Sequence, residues 1–281
     1  MKIAGGLMIA LLVLGGIAHA GQLAQGPPVG PPPGPPREYV PYDPSKEPAF
    51  RGEGELRKGA ESVRSGDSPF PQIVKKVGPD LYELGTIALD TKARRVTVPG
   101  RINMTQGIIE YLAVMDKRGK LHESVLALDV QPSLFQLALI LLGLEPGEWS
   151  PGNPTAQQPP TLAKWGDQVV LWVEWDRAGK TERVSADALV FNRETQKSLE
   201  GNRWHFTGSL FSRNVFAADV TGSLIATWLD LRAILNASAQ VGNPYRGANL
   251  GYEVNSKIVP PLDTPIRLVI EPAERETKKG Q

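Results

Sequence analysis

Val169-Val170-Leu171-Trp172-Val173 is apolar on both alternating faces of an extended chain. A strand with one wet face alternates apolar and polar residues, so a run like this marks a central strand with neighbours around it. Residues 167–175 are therefore expected to lie inside a sheet. The same β pattern follows at 183–191, 204–211, 215–220, 223–227 and 266–270, and precedes it at 84–89 and 95–99. Residues 108–115 read as a strand, or as a short helix followed by one. Residues 122–129 read as a returning strand.

Turn chemistry punctuates the strands. Asp116-Lys117-Arg118-Gly119-Lys120 reads as a hairpin-type loop, with Gly119 at the position most in need of positive φ. Asp176-Arg177-Ala178-Gly179-Lys180 repeats the Asp-x-x-Gly-Lys pattern in the second half and hints at an internal repeat. Pro132 suits a first helical turn and Gly143 the C′ position, so 132–142 is expected to be a helix. That segment is apolar nearly all round, which predicts burial. Asp230 as N-cap predicts a short second helix to about Ser238.

The N-terminus reads as an export signal. Lys2 supplies the positive end, residues 3–17 are apolar, and Ala18-His19-Ala20 is an A-x-A cleavage site before Gly21. The apolar run falls short of the roughly 20 residues that span a bilayer. A Pro-rich tract follows at 26–48. It favours extended polyproline II and reads as a semi-rigid spacer, with a ligand for aromatic grooves as the alternative. Residues 146–160 are again rich in Pro and Gly.

Composition removes several chemistries. The 281 residues contain no cysteine, so disulfides, thiolate metal sites, iron–sulfur ligation and a cysteine nucleophile are excluded. With 31 basic and 30 acidic residues, no charge excess points to nucleic acid or an anionic membrane. An exported chain without disulfides fits a bacterial periplasm or cell envelope, or secretion from such a cell. No phosphate loop, Gly-x-Ser-x-Gly or His-Glu-x-x-His is present, and neither a cofactor nor a metal is expected.

Two histidines remain after the signal segment, and each sits in a polar cluster. The first is Gly119-Lys120-Leu121-His122-Glu123-Ser124. Taken as a strand, it places His122 and Ser124 on one face and Glu123 on the other. His122 is then a half-buried histidine among leucines, and Glu123 does not orient it. The second is Arg203-Trp204-His205-Phe206-Thr207-Gly208-Ser209, with Arg203, His205, Thr207 and Ser209 on a polar face. The candidate polar site is His122, Glu123, Ser124, His205 and Ser209, provided the two segments meet. The tryptophans suit core and rim packing, with a carbohydrate or peptide groove as the alternative.

The chain resembles the YdjY-like domain of exported bacterial proteins. The resemblance rests on Leu84-Gly85-Thr86-Ile87 with Asp90, Val98-Pro99, Ile102-Asn103, Gly107 to Leu112, the His122 hexapeptide and Pro132 to Leu144. In the second half it rests on Trp204 to Ser209, Gly222 to Ala226, and Pro260 to Ile270. It implies domain limits and transfers no reaction. The clustered cysteines of some relatives are absent here.

These patterns predict an α+β, β-rich domain: a largely antiparallel sheet system with one buried helix at about 132–142 and a short second helix at about 230–238. The expected division is a signal peptide 1–20, a Pro/Gly-rich disordered linker 21–81, the domain 82–272 in two halves joined at 146–160, and a disordered tail 273–281. The first functional expectation is a non-catalytic binding or envelope-associated module. It would engage a small ligand or an envelope protein, not nucleic acid, and would keep no stable membrane span after signal cleavage. The alternative is a hydrolase-like enzyme using His122 with Ser124 or Ser209.

Overall fold

The computed structural model describes residues 73–150, 160–199, 201, 204–212, 215–238 and 251–273. The expected signal segment, the Pro-rich tract, the end of the chain beyond 273 and much of 146–160 lie outside the described residues.

Strand pairing starts at β1 (Val74–Lys76), β2 (Leu81–Leu84) and β3 (Ile87–Asp90), which form an antiparallel ribbon. The stretch 84–89, expected as one strand, is two. Gly85 takes a left-handed φ of +60° and turns the chain between them. β4 (Arg95–Ile102) runs beyond the expected stop at Pro99. Its first half pairs with β3 up to Thr97, and its second half pairs with β7 (Ser124–Leu128) from Gly100 onward. Pro99 falls between the two partners, where its missing N–H breaks no ladder.

The segment 108–115 is also two strands, β5 (Ile108–Ile109) and β6 (Tyr111–Met115), which belong to different sheets. After β7 come helix α1 (Pro132–Leu141), the hairpin β8 (Glu148–Ser150) with β9 (Thr161–Lys164), and the long β10 (Gln168–Arg177) with β11 (Lys180–Ser185). Short strands follow: β12 (Val190–Asn192), β13 (Lys197–Ser198), β14 (Trp204–Phe206), β15 (Phe211–Ser212) and β16 (Val215–Phe216). Helix α2 (Ala217–Thr221), β17 (Ser223–Ala226), β18 (Leu235–Ala237), β19 (Tyr252–Val254) and β20 (Pro265–Pro272) complete the series.

The expected largely antiparallel sheet system with one buried helix is corrected to a closed barrel. Eight strands pair in the ring β4-β20-β10-β14-β18-β17-β6-β7, and the β7–β4 pairing shuts it. Two neighbours in the ring are parallel, β6 with β7 and β17 with β18. Closure leaves no bare edge in the ring. Strands from before 146 and from after 160 both contribute to the ring. β10 is the expected central strand, between β20 on one side and β14 and β11 on the other.

The barrel interior is filled in layers. Val96, Ile270 and Leu171 stand opposite one another on β4, β20 and β10, and Val98, Leu268 and Val173 form the next layer. All six are essentially inaccessible. The outer face of β10 is covered differently from the two apolar faces read in the sequence. Trp172 is half-buried there, under the Arg183 guanidinium at 4.7 Å from its ring, and its indole N–H donates to Glu271 at 3.0 Å.

The helices differ from expectation too. α1 forms, but it is an amphipathic cover and not a buried helix: Phe135, Ala138 and Leu139 pack inward while Ile140 and Leu141 are each 44% exposed. No helix forms at 230–238, where the chain makes a turn and then β18. Asn236, inaccessible on that strand, is spent tying the turn to the barrel: it accepts the Asp230 N–H at 2.8 Å and donates to Thr207 Oγ1 at 2.7 Å. The short second helix is α2 instead, inside a stretch that reads as β.

The two Asp-x-x-Gly-Lys turns are not equivalent. Arg177 pairs with Lys180 across a two-residue hairpin, with Ala178 and Gly179 both at positive φ. The loop after β6 makes no hairpin, because β6 and β7 run parallel. Residues 116–123 cross over within a space that usually takes about a dozen residues. Gly119 serves close approach there: a Cβ on it would sit 2.3 Å from Val114 Cβ. The backbone of Gly222 presses on the other side, so the crossover is sandwiched between β6 and the end of α2.

Candidate functional site

The His122 hexapeptide is not a strand at its start. Leu121–Glu123 forms one 3-10 turn, and β7 begins only at Ser124. Asn103 holds that turn, donating from its side chain to the carbonyls of Leu121 at 2.6 Å and Ser124 at 2.8 Å. The period of two fails over these residues, and the face assignments change with it. Glu123 turns inward, while His122 turns out with 74% of its side chain exposed. The two still point to opposite sides, but with inside and outside exchanged, and His122 Nε2 stays 4.0 Å from Glu123 Oε2.

Inside the turn lies a polar network. Lys120 Nζ is 2.7 Å from Glu123 Oε1 and 3.2 Å from Glu110 Oε2. The two carboxylates keep only 7% and 5% of their side-chain exposure, against 43% for the lysine. Burial alone would lower the Lys120 pKa. The close pairing with Glu123 and the charges of Glu110 and Glu123 outweigh it, so the ammonium is held above its ordinary 10.5. A lysine held this way is a structural cation and not a nucleophile.

Tyr111 extends the network. Lys120 stands over its ring at 5.2 Å, and its hydroxyl donates to Asp230 Oδ2 at 2.8 Å. Burial first, then the Asp230 charge and hydrogen bond, push the phenol well above its ordinary value, while a hydrogen bond from Ser223 works the other way. Tyr111 also packs with Val114, Ala226 and Ala233 in a small core of their own, against which Leu121 and Trp228 rest. Thr227 closes the arrangement, its N–H and its hydroxyl both donating to the Glu110 carbonyl at 2.9 Å.

The other candidate residues sit elsewhere. The Ser124 hydroxyl is buried and donates to the Leu126 carbonyl at 2.9 Å. His205, on β14, packs against Trp165 with ring centroids 4.6 Å apart and the planes tilted by 56°, and its Nδ1 lies 3.2 Å from the Gly166 carbonyl. The Ser209 hydroxyl accepts the Ala218 N–H at 3.1 Å, and the Ser209 N–H donates to Gln136 Oε1 at 3.0 Å, which ties α1 to α2. The structure thus brings His122 and Glu123 together, and gives Ser124, His205 and Ser209 partners of their own. Among the described residues no three His, Asp or Glu side chains converge as metal ligands.

A groove of about 260 Å³ opens where β6 and β7 end. Leu84, Met115, Leu128, Val130 and Leu134 form its apolar lining, and Thr86, Asp116, Lys117, Asp129 and Gln131 its polar one. The β2–β3 turn and the start of α1 close its sides. The walls are pinned: Asp129 N–H donates to the Pro99 carbonyl at 3.0 Å, the Thr86 hydroxyl donates to the Asp129 carbonyl, and Asp116 N–H donates to the Leu128 carbonyl at 3.0 Å. At the start of α1, Asp219 accepts the Ser133 N–H at 2.8 Å and supplies the acceptor that Gln131 leaves unfilled. Burial raises the Asp219 pKa, against the opposing pull of Ser133, Gln131 and Arg118.

Sequence reasoning missed Glu110, Lys120, Tyr111 and Asp230 as a group, and the groove entirely. One signal was present. Glu110 is a lone carboxylate inside an otherwise apolar octet, 108–115, and such a charge needs a buried partner. The groove has no local signature, because its walls come from three separate stretches, 84–86, 115–117 and 128–134.

A closed eight-stranded barrel whose short parallel crossover is locked by buried ion pairs, with a small groove at one rim, is the class of protein these features define. A family model described as the YdjY domain matches residues 87–271. That span is most of the chain, and the chain belongs to this family. No curated protein and no solved structure matched it. No helix among the described residues is long and apolar enough to cross a membrane.

Proposed function

We propose that this protein is an exported, non-catalytic binding module of the bacterial periplasm or cell envelope, and that the groove at the β6–β7 rim is its ligand site. One observation carries the binding half of the proposal: an apolar lining with polar residues beside it, built on strand ends and turns that hydrogen bonds already hold. Small-ligand sites have this composition and this rigidity. The non-catalytic half draws on the hydroxyls of Ser124 and Ser209, which are buried and each engaged in a hydrogen bond with the backbone. Export draws on Lys2, the apolar run to Ile17 and Ala18-His19-Ala20, and the Pro-rich tract behind them serves as the spacer.

Two experiments test the proposal. Expressed in full in a Gram-negative cell, the protein is expected in the periplasmic or envelope fraction with Gly21 at its new N-terminus. An uncut chain in the cytosol overturns the export reading. Titration of the labelled protein with small apolar fragments is expected to shift the backbone amides of Thr86, Met115, Asp116 and Asp129. The shifts should disappear in Leu134→Lys, which places a charge in the apolar lining. Fragment shifts that fall elsewhere, or survive that substitution, overturn the groove assignment.

A further inference from the structure

We infer that the ligand of this groove is a small zwitterion with an aliphatic body, of the α-amino-acid class. The inference rests on the groove being the ligand site and adds the chemistry of what it takes.

Three charged residues line the groove, Asp116, Lys117 and Asp129. Asp116 already has a cation: Arg101 reaches it at 2.8 Å and shares its charge with Asp263 at 2.9 Å. Lys117 and Asp129 have no side-chain hydrogen bond or ion pair among the described residues, and both are exposed. The groove therefore offers one unspent ammonium and one unspent carboxylate beside an apolar lining. A purely anionic ligand would satisfy Lys117 and meet Asp129 as a like charge, and a purely cationic one would do the reverse. A ligand carrying both charges next to an aliphatic group answers all three features at once.

The two charges are held by different devices. Asp129 directly follows β7, with its N–H on Pro99 and its carbonyl under the Thr86 hydroxyl. Lys117 sits in the crossover turn, which is closed by the Gly119 N–H donating to the Met115 carbonyl at 2.8 Å. The same turn is anchored one residue past Gly119 by Lys120 on Glu110 and Glu123. The buried network thus fixes the loop that presents Lys117. The space suffices for a small ligand: about 260 Å³ exceeds the roughly 150 Å³ cavity that takes up a benzene molecule.

The test uses the full chain and four probes of one carbon skeleton: leucine, leucinamide, 4-methylpentanoate and 4-methylpentanamide. Leucine is expected to bind at the groove amides. Leucinamide and 4-methylpentanoate should bind about tenfold more weakly, each having lost one charge-assisted contact. Lys117→Gln should weaken leucine about tenfold and tighten leucinamide, which no longer meets a like charge. Asp129→Asn should weaken leucine equally and tighten 4-methylpentanoate, which no longer meets a like charge. Both side chains are exposed, so the variants keep the fold. If all four probes bind alike at the groove amides, the zwitterion assignment is overturned and the groove stands. If no probe moves those amides, the groove reading itself falls.

Discussion

Lys120 holds its ammonium 2.7 Å from Glu123 Oε1, and Glu123 is almost wholly buried one residue before β7 begins. The same ammonium reaches Glu110, one residue before β6 begins. One lysine therefore clamps the starts of two parallel neighbours. A parallel pair with so short a crossover has little slack, and the clamp sets where the returning chain re-enters the barrel.

Lys120→Met leaves two buried carboxylates without their shared cation. The expected loss is about 2 kcal/mol, less than for a fully buried pair because Lys120 is 43% exposed. Urea unfolding should show a lower midpoint at unchanged slope. Adding Glu110→Gln and Glu123→Gln to the lysine variant should recover part of the loss, and a triple variant no better than the single would count against the clamp.

Alkaline pH should undo the network before the rest of the fold. Tyr111 and Lys120 both titrate higher in the folded protein than in the unfolded chain, whose values are near 10.0 and 10.5. Between the two values the folded state holds the extra proton, so stability is whole below pH 10 and falls as pH rises beyond it. Tyr111→Phe removes one donor to Asp230 and should cost about 1–3 kcal/mol at pH 7. It should also flatten the alkaline decline, and a decline of equal slope in the variant would assign it to other groups.

Asp219 titrates above its ordinary 3.8 because it is buried. A group raised in this way contributes fully below the unfolded value, and its contribution declines as pH rises through the folded one. Asp219→Asn keeps an oxygen for the Ser133 N–H and sheds the buried charge. It should equal or exceed wild type in melting temperature at pH 7, with the advantage vanishing below about pH 4. A marked loss at pH 7 would mean that the charge at the start of α1 outweighs its burial.

Gly100→Ala tests barrel closure. Its Cβ would lie 2.5 Å from the Ala127 carbonyl oxygen and 2.6 Å from Leu128 Cδ2, both on β7. Relief requires β4 and β7 to part at the seam that shuts the ring. The expected cost is about 3 kcal/mol, with amide exchange accelerated first at Arg101, Ile102, Leu126 and Ala127. Uniform acceleration across the barrel would mean that the seam is no weaker than the remaining pairings.

Several features were legible from pattern alone. The two-faced apolar run of β10 announced a central strand, and Pro132 with Gly143 bracketed α1 to within about one residue. The Gly179 turn read as a hairpin and is one. Other stretches misled for specific reasons. The segment 215–220 has β-forming residues, yet Ala217–Thr221 winds into a helix that Gly222 ends at φ +70°. The hexapeptide alternates as a strand would, but Asn103 captures two of its carbonyls and pulls it into a 3-10 turn.

The candidate site divides the same way. The hexapeptide held two members of the network, Lys120 and Glu123, but its partners Glu110, Tyr111 and Asp230 come from other segments. Local sequence determined where strands and α1 lie, because period and turn chemistry act between residues a few positions apart. Tertiary structure alone decided that the strands close into a ring, that β6 and β7 run parallel, that Glu123 goes inside and His122 outside, and that Lys117 and Asp129 line one groove. Those outcomes depend on which distant segment supplies a hydrogen bond or a counter-charge, and no local periodicity encodes that choice.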